Sequence, residues 1–310
     1  MKPGIKIFAP ATVANVACGF DTLGFALEHP GDEIIATFSN KPGIRITEIT
    51  GAKGKLPYEV EKNTAGLAAL RLLEHLGETG IGIELKIHKK MPFGSGLGSS
   101  AASAVAGVMA VNELLRKPLS KRELLPFAAM GEELASGSLH VDNVAPSLIG
   151  GMIFIRDNAT FDVHRLPIVH GLHATVIYPE VNILTKDARR ILSPKVALKD
   201  AITQGGNLGG LIIGFYKSDV EMIRRSLQDV MIESQRSHLI PQFQNIKDAA
   251  LEADALGCSI SGAGPSIFAL SANSFVAENV RNAMTKIYTD AKIKHKVYVS
   301  KINHEGAVKC

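Results

Sequence analysis

The stretch Pro92-Phe93-Gly94-Ser95-Gly96-Leu97-Gly98-Ser99-Ser100-Ala101-Ala102 joins an alternating segment, Gly82 to His88, to a long run of small and apolar residues reaching about Leu115. Alternation predicts a strand and the small-residue run a helix, so the order is strand, glycine loop, helix. Glycines let backbone N–H groups converge, and the helix start adds unpaired donors at a positive dipole end. Such an arrangement is a phosphate cradle. It is not a Walker A loop, because no lysine follows the last glycine, nor a GxGxxG fingerprint, because Ser99 stands where the third glycine is required. Hydroxyls at Ser99 and Ser100 can cap the helix or reach a metal ion that bridges phosphates. The plainer alternative is a glycine turn that opens a close-packed helix.

Outward from the loop, Ile5 to Phe8, Glu33 to Phe38 and Ile44 to Ile49 are β-prone runs divided by Pro and Gly. Asn63 to Leu76 is expected as a helix, capped by Asn63, striped by Leu67, Leu70, Leu73 and Leu76, and stopped by Gly77. Ser120 caps a further helix over Lys121 to Leu134, and Gly150-Gly151 precedes a strand at Met152 to Ile155. The second half opens with a strand at His173 to Tyr178. It continues through a helix at Lys186 to Leu192, helices between Leu198 and Ala255, a strand at Ser266 to Leu270, a helix near Phe275 to Tyr288 and a strand at Lys296 to Lys301. A chain of 310 residues exceeds the usual size of one core, and we divide it into 1–160 and 161–310.

Composition narrows the function classes. A net charge of +4 without a dense Lys/Arg run does not favour nucleic acid, and anionic small molecules fit as well. Cys18, Cys258 and Cys310 are odd in number and widely spaced, which speaks against a disulfide framework or a zinc site and for a reducing cytoplasm. Pro3, Pro10 and Asp21 interrupt the apolar N-terminal run, so no secretion signal is expected. No apolar run approaches the ~20 residues needed to span a bilayer.

Two further motifs accompany the loop: Pro10-Ala11-Thr12-Val13-Ala14-Asn15-Val16-Ala17-Cys18-Gly19-Phe20-Asp21-Thr22-Leu23-Gly24, and Ser259-Ile260-Ser261-Gly262-Ala263-Gly264-Pro265-Ser266. The loop resembles the P-x3-G-L-G-S-S-A-A motif of the galacto, homoserine, mevalonate and phosphomevalonate (GHMP) kinase family. All three motifs stand in family order, and the first is most similar to members that phosphorylate homoserine. The resemblance implies a two-domain α+β GHMP kinase fold, with an N-terminal ribosomal-protein-like α+β domain, a C-terminal ferredoxin-like domain and the active site between them. It also implies ATP and Mg²⁺ as cofactors, L-homoserine as substrate and a homodimer, with neither nucleic acid nor membrane as partner.

By the same resemblance, residues 92–102 (Pro92, Phe93, Gly94, Ser95, Gly96, Leu97, Gly98, Ser99, Ser100, Ala101, Ala102) would bind ATP, and Ser100 with Glu132 would hold Mg²⁺. Asp21 would take the substrate ammonium, Asn15 would bond to the substrate, and Arg189 and Arg236 would take the carboxylate, with Arg190 as a competitor. His140 and Asn143 would flank the hydroxyl, and Thr185 would lie near the transferred phosphate. Plainer roles exist for each: loop hydrogen bonds for Asp21 and Asn15, a solvated charge for Glu132, a core imidazole for His140. If their segment is helical, His140 and Asn143 share a face and Asp142 turns away. Counted back from Gly150-Gly151, Asn143 occupies the place of a catalytic Asp in mevalonate-type relatives, and the lysine that partners that Asp is missing from the first motif. A side-chain base is therefore not expected, and loose phosphoryl transfer does not require one. Competing functions are phosphorylation of another small alcohol of the mevalonate type and a non-catalytic nucleotide sensor.

Overall fold

The computed structural model describes residues 4–116, 118–181, 183 and 185–310, without the side chains at 185 and 186. The elements are β1 (Ile5–Ala14), β2 (Leu23–Ser39), β3 (Gly43–Thr50), α1 (Thr64–His75), β4 (Gly82–His88), α2 (Ser99–Leu114), α3 (Lys121–Ser136), α4 (Val144–Ile149), β5 (Met152–Asp157) and β6 (Asp162–Leu166). There follow β7 (His173–Pro179), α5 (Thr185–Arg190), α6 (Leu198–Lys217), α7 (Val220–Ser226), α8 (Glu233–Arg236), α9 (Phe243–Glu252), β8 (Gly257–Ile260), β9 (Ile267–Ser271), α10 (Ser274–Asp290), β10 (His295–Lys301) and β11 (Val308–Lys309).

The first sheet runs β11-β1-β2-β4-β3, with β5 on β2 and β6 on β5. Only β3 and β4 pair in parallel; the remaining neighbours are antiparallel. This sheet continues past residue 160 through β6 and takes back the C-terminal strand, Ile7 facing Lys309. Against it lies α2, whose Ala101, Ala102, Ala104, Val105, Val108 and Val111 are fully buried. Such small side chains bring α2 close to its neighbours: a Cβ at Gly107 would meet the Ala65 carbonyl oxygen at 2.5 Å. The expected caps are present. Asn63 Oδ1 accepts from the backbone N–H groups of Ala65 and Gly66, and Ser120 forms a reciprocal capping box with Glu123.

The second sheet is ordered β10-β7-β9-β8. Numbered by their own sequence order these strands read 4-1-3-2; with the helices α5 to α9 together filling the first crossover and α10 the second, this is the ferredoxin-like arrangement. Its separate core gathers Ile177, Phe243, Ile246, Val280, Met284 and Tyr288 between the sheet and helices α9 and α10. The two sheets are stitched where Leu27 bridges Ile302 and the Glu28 N–H donates to Ser300 Oγ. Sequence reading did not identify β6, β8 or β11, each of five residues or fewer.

Candidate active site

The three motifs meet at one place. Leu97 O in the glycine loop accepts from the Thr12 N–H at 3.1 Å, Gly96 O from Ser261 Oγ at 2.7 Å, and Ser95 O from the Ser266 N–H at 3.1 Å. The Gly262 N–H in turn donates to Ala14 O at 3.2 Å. Close approach is why glycine is needed: a Cβ on Gly96 would stand 2.4 Å from Ser261 O. Gly94, Gly96 and Gly98 all have positive φ, and Gly98 is the left-handed residue just before α2. The first intrahelical bond at this end is from the Ala102 N–H to Gly98 O, so the N–H groups of Ser99, Ser100 and Ala101 are without helical acceptors.

Beneath the loop lies a buried polar clamp that sequence reading missed. Asp32 Oδ1 accepts from the N–H groups of Lys90 and Met91, and Oδ2 from Ser99 Oγ and Lys89 Nζ. Lys89 also donates to Ser99 O at 2.7 Å and to Ser103 Oγ at 2.6 Å. One carboxylate thereby ties the residues before the loop to the residue after it. Burial lowers the Lys89 pKa, and the adjacent Asp32 charge opposes that shift. Ser99, expected as a cap or metal contact, is committed to this clamp, whereas Ser100 is not.

The loop floors a cleft of about 460 Å³ that also reaches the first motif, α3, the segment before α4 and the third motif. Phe93, Gly94, Ser95, Gly96, Gly98, Ser99 and Ser100 line it; Pro92, Leu97, Ala101 and Ala102 do not, the last three being fully buried supports. Ser100 Oγ donates to Glu132 Oε1 at 2.9 Å, and Glu132 Oε2 is buried without a partner among the described residues. Burial pushes the Glu132 carboxyl up to about 7, opposed first by the Ser100 bond. Among the described residues no cluster of three His, Cys, Asp or Glu forms a metal cage. One orphaned carboxylate oxygen beside a hydroxyl suits Mg²⁺, which takes most of its ligands from phosphate and water.

At the other end, Asp21 and Arg189, expected to grip opposite ends of a substrate, hold each other: Arg189 Nη2 lies 2.9 Å from Asp21 Oδ1 and 3.1 Å from Oδ2. The Phe20 ring lies against both Arg189 and Arg236, at 5.4 and 5.2 Å. Arg236 is buried and donates from Nε to Ala188 O and from Nη1 to Gly262 O, so it ties α5 to the third motif while still lining the cleft. Burial, then Arg189, lowers its pKa. Arg190 is exposed and near Asp187, away from the cleft. Asn15 lines the cleft, but both ends of its amide hold loops: Nδ2 donates to Gly262 O and Oδ1 accepts from the Asp21 N–H.

The segment carrying His140 and Asn143 is not helical; α4 begins at Val144 with Asn143 as the residue before it. Even so, His140, Asp142 and Asn143 all line the cleft. His140 Nδ1 is buried, has no hydrogen-bond partner among the described residues and lies 3.6 Å from Asp21 Oδ2. Burial lowers its pKa, the Asp21 charge raises it and Arg189 lowers it. Burial and the Asp21 charge push Asp142 up to about 7. Asn158, not singled out from the sequence, accepts from the Val141 N–H and donates to Asp21 O, linking this segment to the first motif. Thr185 starts α5, and its side chain lies outside the described residues.

Residues 63–151 match the family model of the GHMP kinases N-terminal domain, and residues 211–290 that of the GHMP kinases C-terminal domain. The chain belongs to the GHMP kinase family, and its matches indicate an ATP- and Mg²⁺-dependent phosphotransferase acting on an alcohol. Among its relatives is a homoserine kinase from Chlorobium phaeobacteroides, 44% identical, with 98% of each chain covered. A crystal structure of homoserine kinase from Cytophaga hutchinsonii is 53% identical and superposes with a TM-score of 0.97 over 100% of this chain and 98% of that one. Lactococcus lactis galactokinase, at 14% identity and a TM-score of 0.75 over 100% and 96%, shares the fold. Among the described residues no helix is long and apolar enough to cross a membrane.

Proposed function

We propose that this chain transfers the γ-phosphate of ATP to the hydroxyl of L-homoserine, giving O-phospho-L-homoserine. The observation that carries the reading is the charge pattern at the far end of the cleft. Asp21 and Arg189 form an ion pair there, with Arg236 beside it. A zwitterionic amino acid can exchange with that pair, its ammonium taking Asp21 and its carboxylate taking Arg189 and Arg236, so each member of the pair gains a new partner of opposite charge. Mevalonate has a carboxylate but no ammonium, so it offers nothing to replace Arg189 on Asp21, and a neutral sugar would leave the pair closed.

The loop N–H groups and the start of α2 hold the phosphates, and Ser100 with Glu132 would hold Mg²⁺, which neutralises developing phosphate charge when bound. Asn15 and the Asn158 bridge fix the Asp21 loop, while His140 and Asn143 face the reacting hydroxyl. Asn143 is a neutral amide and cannot take the proton. Alignment and charge neutralisation provide the acceleration, and the proton leaves late, to phosphate or water.

Coupled ADP release measured with homoserine, serine, mevalonate, galactose and shikimate should show Mg²⁺-dependent turnover with L-homoserine at least ~10-fold better in kcat/KM than with any other. A preference for mevalonate would sink the assignment, and ATP binding without turnover in the presence of any acceptor would point to a non-catalytic sensor. The proton route has its own test. Asp142→Asn, in a variant shown to be folded, should cost far less than the ~10² to 10⁴-fold expected on removing a general base. A loss within that range would make Asp142 the base.

A further inference from the structure

Thr12 is fully buried in β1 and does not line the cleft, yet its Oγ1 donates to Asn143 Oδ1 at 2.7 Å. A threonine hydroxyl can donate or accept, and here it donates, to the amide oxygen of Asn143. Here the oxygen is taken from behind by Thr12, while Asn143 Nδ2 has no partner among the described residues and its side chain lines the cleft. Gly98 completes the junction, since a Cβ there would lie 2.1 Å from Thr12 Oγ1 and 2.7 Å from Asn143 Oδ1. One contact thus joins the first motif, the phosphate loop and the residue facing the reacting hydroxyl.

We infer that Thr12 is a positioning residue: its hydroxyl fixes the Asn143 amide with the nitrogen toward the cleft, making Asn143 a hydrogen-bond donor to the reacting oxygens. This rests on the proposed placement of Asn143 at the reacting hydroxyl. Without the Thr12 hydroxyl, Asn143 Oδ1 loses its buried donor and the amide is free to rotate by half a turn. It would then present a carbonyl oxygen, which repels phosphate and cannot donate. A purely structural role for Thr12 would appear in stability and not in kcat alone.

The experiment is steady-state kinetics with homoserine and ATP, alongside thermal melts, for Thr12→Val, Thr12→Ser, Asn143→Ala and the Thr12→Val/Asn143→Ala double variant. Val keeps the shape of Thr and its preference for a strand. Thr12→Val should lower kcat about 10-fold, as expected for losing one oriented hydrogen bond, with both KM values within about twofold. Thr12→Ser should recover most of that loss. The double variant should be no slower than Asn143→Ala, because the two residues act as one unit. A loss in Asn143→Ala with none in Thr12→Val overturns the inference alone. Wild-type kcat in Asn143→Ala overturns the placement of Asn143, and the inference with it. If Thr12→Val does not fold, Asn143→Asp serves instead. Thr12 can donate to a carboxylate equally well, but the cleft then meets an acceptor, so kcat should fall as far as in Asn143→Ala. Unchanged kcat in Asn143→Asp overturns the need for a donor.

Discussion

Gly98→Val should reduce kcat/KM about 10² to 10³-fold, the range seen when a preorganised charge-stabilising donor is removed, while leaving the far-ultraviolet circular dichroism of the protein intact. Gly98 sits at φ +65°, where a β-branched residue is strained, and its carbonyl accepts the first bond of α2, so the backbone cannot swing away without unwinding the helix start. The first added carbon already collides with Thr12 Oγ1 and Asn143 Oδ1. That makes Gly98→Ala the sharper test. If the harm came only from bulk near phosphate, Ala would be mild and Val severe; because the collision is at Cβ, Ala should approach Val in severity. Gly205 on α6 is the control, since a Cβ there meets nothing within 4 Å. Gly205→Ala should keep full activity and be as stable as the parent or slightly more so. A fully active Gly98→Ala would mean that the junction of Thr12, Asn143 and Gly98 is looser than described.

The parts legible in the sequence are those specified locally. Asn63 and Ser120 announce their helices by cap chemistry, the glycine loop announces a backbone that only glycine adopts, and Gly82 to His88 alternates as a strand does. Of the strands that escaped notice, β8 and β11 are too short to show a period, β8 being buried throughout, and β6 carries Asp162, His164 and Arg165 among its five residues. Most of the candidate residues named from the sequence gather at one cleft, but the contacts they make there were not legible. Asp21 meets Arg189 across 168 positions, Thr12 meets Asn143 across 131, and Asp32 meets Lys89 across 57. No periodicity links such pairs; only the packing of sheets and helices brings them together. The loop contact of Asn15 was hidden for the same reason, since its amide partner Gly262 lies 247 residues away.

Asp32→Ala should produce the largest loss of stability among the changes considered, about 3 to 5 kcal/mol, because it leaves the buried Lys89 ammonium without its counter-charge. For a protein of this size that corresponds to a fall in Tm on the order of 10 °C. Asp32 has no solvent exposure, and Lys89 is also buried; Ser99 O and Ser103 Oγ remain as acceptors for Lys89 but supply no charge. Lys89→Met alone should cost less. Asp32 would keep three donors, from the N–H groups of Lys90 and Met91 and from Ser99 Oγ, and Met fills a similar volume without a charge. Combining the two should then be markedly less harmful than their sum, since the stranded charge of the first variant is absent in the second. Activity should separate from stability in that double variant. With Asp32 and the Lys89 ammonium both gone, neither side chain ties the backbone before the phosphate loop to Ser99 after it, so Tm should recover in part while kcat/KM does not. Melting curves and kinetics on the four proteins check this. Parallel recovery of Tm and turnover would reduce the clamp to a packing device, and an Asp32→Ala protein as stable as the parent would show that Lys89 finds another counter-charge.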